Sequence, residues 1–492
     1  MTRRKAMIVV FSLFLISVFV RLPNLNRPLS KHHEFMAALI LINIESWRQA
    51  GGGSKFDYVP LQNFQNPGDK FYENNPLFDR NGNQWYISLG PGWYIIPYFI
   101  FEIFHLPTEP IYLQIINLFF GLLTILLLFY FLEQMLPSET KNKYTVIVFA
   151  CAISMFTPGL LWYFGNGYAH TGIMMPFVIG FLMLLMPMLE SAKKINPSRL
   201  ILLALMIVTL IYIDWLALFL CGISGLYACT KIKKDKQYGL LAATLFLSAC
   251  LGAFLLFLQF SSYAGTEAVI NYWKDRFFSR SFTNHDASVP LMIGQLFIHS
   301  ITLFLPLLIL ILASWFWNRL KKQTAFFTEK ELIFLKIYTL SLICYNLIFL
   351  EWSYAHEFSV LPWSLLLAYI AAKLISPILL NRKIQFVIAG LFFAISIFQY
   401  YEINPPGKVS RDGMAYSRFK DFGEPLKKIP PDCTIFSPLA SREPMIEFYA
   451  GRSICRRLSL KDAKDYVEEK KLKKAVWVDQ AHYQIKKIEF IK

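Results

Sequence analysis

Long apolar runs alternate with short polar stretches along most of the chain. Twelve segments are almost wholly apolar: 7–22, 91–105, 111–132, 144–163, 172–189, 199–213, 215–230, 238–259, 296–317, 331–350, 360–376 and 384–401. A helix that crosses the hydrocarbon layer needs about 20 apolar residues, and no soluble fold needs so many runs of this kind. The pattern therefore predicts a polytopic α-helical membrane protein.

The short loops between these runs predict the orientation. Those rich in Lys and Arg, which favour the cytoplasmic side, are 1–6, 190–199, 231–237, 318–330 and 381–383. Because both ends of the stretch between 199 and 231 are basic, this stretch must form a hairpin whose tip, at Asp214, lies outside. We expect the Asp214 side chain to face water, or to cap the following helix.

Segment 91–105 does not fit this alternation. Loop 23–90 before it and loop 106–110 after it are both assigned to the outside. The segment is broken by Pro97, and 15 helical residues reach only about 22 Å, less than the roughly 30 Å hydrocarbon core. We predict that it is interfacial or re-entrant. About 11 transmembrane helices then remain, with the N-terminus cytoplasmic and the C-terminus extracytoplasmic.

A change of character near residue 401 predicts two regions. Residues 1–401 form a transmembrane region whose long outside loop, 23–90, carries a juxtamembrane helix at 34–50. Residues 402–492 are predicted to form a small extracytoplasmic α/β domain. Its predicted strands are 433–437 and 475–478, and its predicted helices are 441–450 and 460–471. An oxidising compartment would permit a disulfide between Cys433 and Cys455, and the pattern leaves this pairing open.

Composition supports lipid as the main environment. Apolar residues make up 55% of the 492 residues and charged ones 17%, whereas a soluble domain has about 25% charged. The net charge of +16 would suggest nucleic acid in a soluble protein. Here the short loops assigned to the cytoplasm by this alternation hold 18 basic and 6 acidic residues, and the tail from 402 holds 19 and 13. These loops are 1–6, 133–143, 190–199, 231–237, 318–331 and 381–383. Most of the excess therefore encodes orientation, and we expect no nucleic-acid partner.

Several polar groups on the outside are candidates for chemistry. The run His32-His33-Glu34 opens the first loop and could accept a proton or hold a divalent metal ion. Its alternative interpretation is a solvated helix start, since a carboxylate is favourable near a helix N-terminus.

Further candidates lie in later outside loops. Arg276 and Arg280 are four residues apart, so on a helix they share a face suited to a phosphate, or to lipid headgroups. His356-Glu357 stands at the outer end of an apolar segment, where an ionisable pair either serves function or marks the interface. His170 follows two glycines and is either a site residue or a satisfied structural group.

The order of these features resembles the GT-C superfamily of integral membrane glycosyltransferases. A first span leads to Arg21-Leu22-Pro23, an acidic residue heads a large outside loop, and the aromatic entry Leu89-Gly90-Pro91-Gly92-Trp93-Tyr94 precedes the remaining helices. The nearest likeness is to the branch of protein O-mannosyltransferases and the lipid A aminoarabinose transferase. Over residues 1–400 it implies a histidine-bearing subgroup, because the Asp-Glu pair of the family is replaced by His33-Glu34 and a second acidic position by His170.

The resemblance implies inverting transfer of a sugar from a polyprenyl-phosphate donor. The acceptor would be a lipid, a glycan or a protein on the extracytoplasmic face of the inner (cytoplasmic) membrane. Glu34 or His33 would be the base, and Arg276 and Arg280, with His356, would hold the phosphate. His32, His170 and Glu357 are further substrate-binding candidates. No cofactor is implied with certainty, and a divalent metal ion is the one candidate.

Three alternatives compete with this function. A polyprenyl-linked glycan or lipid transporter (flippase) would carry charge at mid-membrane depth and repeated halves, whereas the apolar segments here are nearly free of such charge. A glycan ligase or polymerase tends to lack a large first loop. A structural scaffold would not need the clustered histidines.

Overall fold

A computed structural model describes residues 1–30, 33–73, 75–281, 287–322, 327–410, 413–438, 444–481 and 484–491 of the chain. Within these ranges the chain forms nineteen α-helices and one four-stranded sheet. Helices α1 to α10 are Arg3–Arg21, Phe35–Gln49, Gly92–Ile103, Pro110–Met135, Lys143–Phe156, Pro158–Tyr163, His170–Glu190, Pro197–Ile211, Leu216–Lys231 and Gln237–Ala264. Helices α11 to α19 are Thr266–Arg280, Val289–Leu320, Glu329–Ile348, Leu350–Ala355, Trp363–Ile375, Arg382–Ile403, Arg418–Gly423, Pro444–Ala450 and Leu460–Glu469.

The twelve predicted apolar segments fall on helices, although segment 144–163 is divided at Thr157 into α5 and α6. Seven helices of the described part are long and apolar enough to cross a membrane, namely α1, α4, α7, α10, α12, α13 and α16. Helices α3, α5, α8, α9 and α15 are apolar but shorter. The prediction of a multi-pass helical membrane protein is confirmed, while the number of eleven spans and the side that each terminus faces stay predictions.

The helix ends follow the local sequence. Proline occupies the first turn of α4, α6 and α8, where its missing N–H leaves no helical hydrogen bond unmade. Helix α13 begins with a capping box in which Thr328 and Glu331 each bond the backbone of the other.

The tail contains the predicted sheet. Strands β1 (Thr434–Ser437), β2 (Ile454–Arg456), β3 (Ala475–Ala481) and β4 (Gln484–Phe490) lie in the order β2-β1-β3-β4, with β4 antiparallel to β3 and the other pairs parallel. The expected strands correspond to β1 and β3, and the expected helices to α18 and α19, although residues 441–443 lie outside the described residues. Strands β2 and β4 were not predicted.

Cys433 and Cys455 are both buried and unpaired. Cys455 lies opposite Phe436 in the parallel register of β1 and β2, three residues along the strand from Cys433. Three strand residues span about 10 Å, beyond the roughly 7 Å limit for the Cα atoms of a disulfide. The register therefore keeps the two thiols apart.

Loop 23–90 and the start of α3 pack closely against other parts of the chain. The Gly68 N–H donates to the Pro431 carbonyl oxygen at 2.9 Å, and a Cβ at Gly68 would lie 2.4 Å from the Cys433 oxygen. Likewise the Gly92 N–H donates to the Tyr212 oxygen at 2.6 Å, and a Cβ at Gly90 would lie 2.2 Å from that oxygen. Only glycine allows these approaches, so loop 23–90 is fixed to the tail and α3 to the α8–α9 hairpin.

Candidate active site

Glu34 is a buried carboxylate whose two oxygens are both engaged. Oε2 accepts hydrogen bonds from the Ser30 N–H at 2.6 Å, the Ser30 hydroxyl at 2.7 Å and Arg27 Nη1 at 3.1 Å. Oε1 accepts from Asn166 Nδ2 at 3.3 Å. The side chain has no exposed surface. Glu34 therefore joins the start of the first loop to the 165–170 loop, as well as to a buried arginine that the sequence pattern had not singled out.

His33 is held in an uncommon backbone conformation. Its φ of +53° lies in the left-handed region, which non-glycine residues seldom occupy. Residues in such conformations cluster at functional sites. The imidazole lies among aromatic rings, with centroids 5.9 Å from Phe35 and 6.5 Å from Tyr163. His32, the other histidine of the motif, lies outside the described residues.

Three predicted histidines meet around the ring of Phe358. The centroid of that ring is 5.3 Å from His33, 5.5 Å from His170 and 4.9 Å from His356. Burial, followed by the electrostatic effects of His33 and of the Arg280 guanidinium, lowers the pKa of His356 well below its usual 6.5. His356 is therefore a neutral imidazole at physiological pH. The three loops that carry these histidines are brought together, and we call the result the histidine cluster.

His170 is paired with Asp214. Its Nε2 lies 2.9 Å from Asp214 Oδ2, and the two side chains are 1% and 0% exposed. Asp214 Oδ1 accepts from the Leu216 N–H at 2.7 Å, and Oδ2 accepts from the Tyr345 hydroxyl at 3.1 Å. Asp214 thus bonds the first N–H of α9, while the N-cap residue of that helix is Trp215, which makes no side-chain cap. The expectation of a water-facing Asp214 is wrong. The tip is buried because Gly92, at the start of α3, binds the hairpin.

The two arginines of α11 lie against tyrosines. Arg280 Nη2 donates to the Tyr86 hydroxyl at 3.1 Å, and the Arg276 guanidinium carbon is 5.5 Å from the centroid of Tyr272. Arg276 Nε has no hydrogen-bond partner within the described ranges. Arg280 is also close enough to lower the pKa of His356. Its positive charge therefore acts at the histidine cluster.

Glu357 is 7% exposed, and its Oε1 accepts from the Tyr163 hydroxyl at 2.8 Å. This bond connects the segment between α14 and α15 to the end of α6, next to Phe358 in the chain. As for metal, no group of three His, Cys, Asp or Glu side chains among the described residues is arranged to hold an ion. The divalent metal ion stays a prediction, because His32 of the motif lies outside the described residues.

Comparison with known proteins identifies the fold. No protein-family model matches the chain, and no curated protein matches it in sequence. Two solved structures that are similar are ArnT from Cupriavidus metallidurans bound to undecaprenyl phosphate, with a TM-score of 0.58, and the same protein in the apo state, with 0.56. The chain has the same fold as ArnT. Each match covers 96% of this chain and 92% of ArnT at 11% identity, so the fold implied by the resemblance is confirmed.

Sequence reasoning found the histidines and arginines but missed their partners. Arg27 has no motif around it, and Tyr86 and Tyr345 are single tyrosines among 25. Phe358 follows directly on the His356-Glu357 motif, and this adjacency was the one signal available for it.

Proposed function

We propose that the protein is a membrane glycosyltransferase that moves a sugar from a polyprenyl-phosphate donor to an acceptor hydroxyl. The observation that carries the proposal is the position of Arg280 beside the histidine cluster in a GT-C fold. The structure of ArnT, which has the same fold, was solved with bound undecaprenyl phosphate, and this supports a polyprenyl phosphate as the donor class.

The reaction is an inverting displacement. The acceptor oxygen attacks the anomeric carbon, its proton passes to a base, and the bond to the donor phosphate breaks with its electron pair on the phosphate. Arg280 and Arg276 would bind that phosphate through charge-assisted hydrogen bonds, which strengthen as negative charge develops. Neutral His356 would donate or accept one hydrogen bond at the same group.

His33 and Glu34 remain the two candidates for the base. Four hydrogen bonds occupy both oxygens of Glu34, which favours His33 as the proton acceptor. Glu34 would then be a positioning residue that holds the left-handed turn at His33. His170, His32 and Glu357 would complete the donor side of the site.

The alternatives from the sequence gain no support from the geometry. A flippase or a glycan ligase would not require three histidines and an arginine at one end of the bundle. We place the reaction on the extracytoplasmic face of the cytoplasmic membrane, as the loop charges predict.

Binding of undecaprenyl phosphate to the purified protein, measured by native mass spectrometry, tests the proposal. Arg280→Gln should weaken binding about 10-fold to 100-fold, since hydrogen bonds to charged groups contribute about 1.5–3 kcal/mol. Arg199→Gln, which removes the same charge from an exposed helix start, is the control and should bind normally. Equal binding of undecaprenol and undecaprenyl phosphate would contradict the proposal. Mass spectrometry of products from polyprenyl-phosphate sugars then identifies the sugar and the acceptor.

A further inference from the structure

A groove of about 580 Å³ lies between the first outside segment and the tail. We call it the juxtamembrane groove. Residues that line it include Arg27, Glu45, Glu109, Lys427, Phe448 and Tyr449. It is separate from the histidine cluster, and its volume is within the range of small-molecule sites, about 300–1,000 Å³. Asn26 and Pro110 also line it. They adjoin the end of α1 and the start of α4, so the groove opens at the outer end of two candidate spans.

One wall of the groove contains a buried cation with an unused donor. Arg27 is 8% exposed, and its guanidinium lies 4.0 Å from the ring centroid of Tyr416 and 5.3 Å from that of Trp162. Nη1 bonds Ser30 and Glu34, but Nε has no hydrogen-bond partner in the described part of the chain. A buried donor left unsatisfied costs about 1–3 kcal/mol. Nε has almost no accessible surface, so a ligand hydroxyl in the groove would satisfy it after a small shift of the guanidinium.

The remaining lining determines the class of ligand. Three basic residues (Arg27, Lys420, Lys427) and three acidic residues (Glu45, Glu109, Glu424) line the groove. The groove therefore has no excess positive charge that would select a phosphate. Phe448 and Tyr449 are half-buried with ring centroids 5.2 Å apart. Alternating donors and acceptors beside aromatic faces suit a ligand with many hydroxyl groups and apolar C–H faces.

We infer that the juxtamembrane groove binds a neutral saccharide, which is the acceptor of the proposed transfer. The inference rests on the proposed function, because Arg27 connects the groove to Glu34 and, through the adjoining residue, to His33. It also gives the tail a role in binding. The Leu29 N–H donates to the Tyr449 hydroxyl at 2.7 Å, so α18 is held against the first outside segment as one wall of the groove.

A glycan array probed with the purified full-length protein tests this inference. The array carries neutral and phosphorylated bacterial glycans. The groove variant combines Glu109→Gln with Lys427→Met, two exposed side chains that make no hydrogen bond or ion pair with other described residues. The control variant combines Glu468→Gln with Lys461→Met on the exposed face of α19 and makes the same two charge changes away from the groove.

Wild type and control should retain neutral glycans, and the groove variant should retain them at least tenfold more weakly. Retention of phosphorylated glycans alone, of no glycan, or of neutral glycans equally by the groove variant would overturn the inference. All three proteins should bind undecaprenyl phosphate equally. Glycan retention without undecaprenyl phosphate binding in wild type would reject the donor class of the proposed function and leave the groove assignment standing.

Discussion

At the scale of single residues, His33 and Glu34 are neighbours in sequence with different surroundings. Glu34 is saturated by Arg27, Ser30 and Asn166, whereas His33 lies in a strained turn beside the other histidines. The motif indicated that this position matters, but it could not tell which of the two residues is the base and which is the positioning residue. That division depends on Arg27 and Asn166, which reach Glu34 from seven and 132 residues away.

The division can be tested with two substitutions. Glu34→Gln replaces a buried anion with an amide and leaves Arg27 unpaired, so it should lower the stability by about 3–5 kcal/mol. His33→Asn should keep the thermal unfolding temperature in detergent and abolish sugar transfer. If Glu34→Gln instead unfolds like wild type and loses transfer, then Glu34 is the base and His33 is not.

At the scale of elements, long helices were predictable and short elements were not. Each apolar helix corresponds to an unbroken run of apolar residues, so the local sequence pattern is enough to predict it. Strand β2 has three residues, and β4 reads Gln-Ile-Lys-Lys-Ile-Glu-Phe with an irregular register. Neither carries a clear alternation, because β2 is defined by its pairing with β1 and β4 by its pairing with β3.

Helix α3 combines features of an interfacial element. It has 12 residues, which reach about 18 Å. Its end is tied back to α2 by Arg48, whose Nε lies 2.7 Å from Glu102 Oε1 and whose Nη1 donates to Thr108 at 2.8 Å. Ile103 and Phe104 are 67% and 68% exposed, as expected for side chains in contact with lipid. A short helix held at both ends is poorly suited to crossing the membrane.

We expect both ends of α3 to face outside. An impermeant maleimide added to intact cells should label Asn81→Cys and Glu109→Cys alike, whereas Lys194→Cys, in a predicted cytoplasmic loop, should react only after permeabilisation. The unsubstituted protein controls for its seven cysteines. Protection of Glu109→Cys in intact cells would make α3 a true span and reverse the predicted orientation of every later loop.

At the scale of the whole molecule, polar and charged side chains form two groups, one at each end of the helix bundle. Helix α7 runs from His170 in the histidine cluster to Glu190, a length of about 30 Å. At the Glu190 end, Lys143, Lys231 and Lys330 donate to backbone oxygens at the ends of α4 and α7. These lysines come from three loops that the charge pattern assigned to one side. The pattern thus predicted which loops share an end, although which side that end faces stays a prediction.

The opposite end is joined to the tail by a buried ion pair that no local pattern could reveal. Asp69, in the first outside loop, accepts from Arg452 Nε at 2.9 Å and from the Ser453 N–H at 3.0 Å, with both charged side chains at most 5% exposed. The two partners are 383 residues apart. Arg452 also donates to the backbone oxygens of Ile429, Pro430 and Cys433, so one guanidinium organises both the loop and the start of the sheet.

Removing this pair should loosen the tail from the first loop. Asp69→Asn leaves a buried guanidinium uncompensated, which typically costs about 3–5 kcal/mol, so the unfolding temperature should fall and limited proteolysis should cut between α16 and β1. Asp432→Asn is the matched control, because its partner Lys474 is exposed and the lost ion pair lies in solvent. This variant should behave as wild type.

If the groove between loop and tail binds the acceptor, Asp69→Asn should also weaken glycan retention while undecaprenyl phosphate binding is kept. Equal unfolding and proteolysis of the two variants would show that the tail is held to the loop by other contacts.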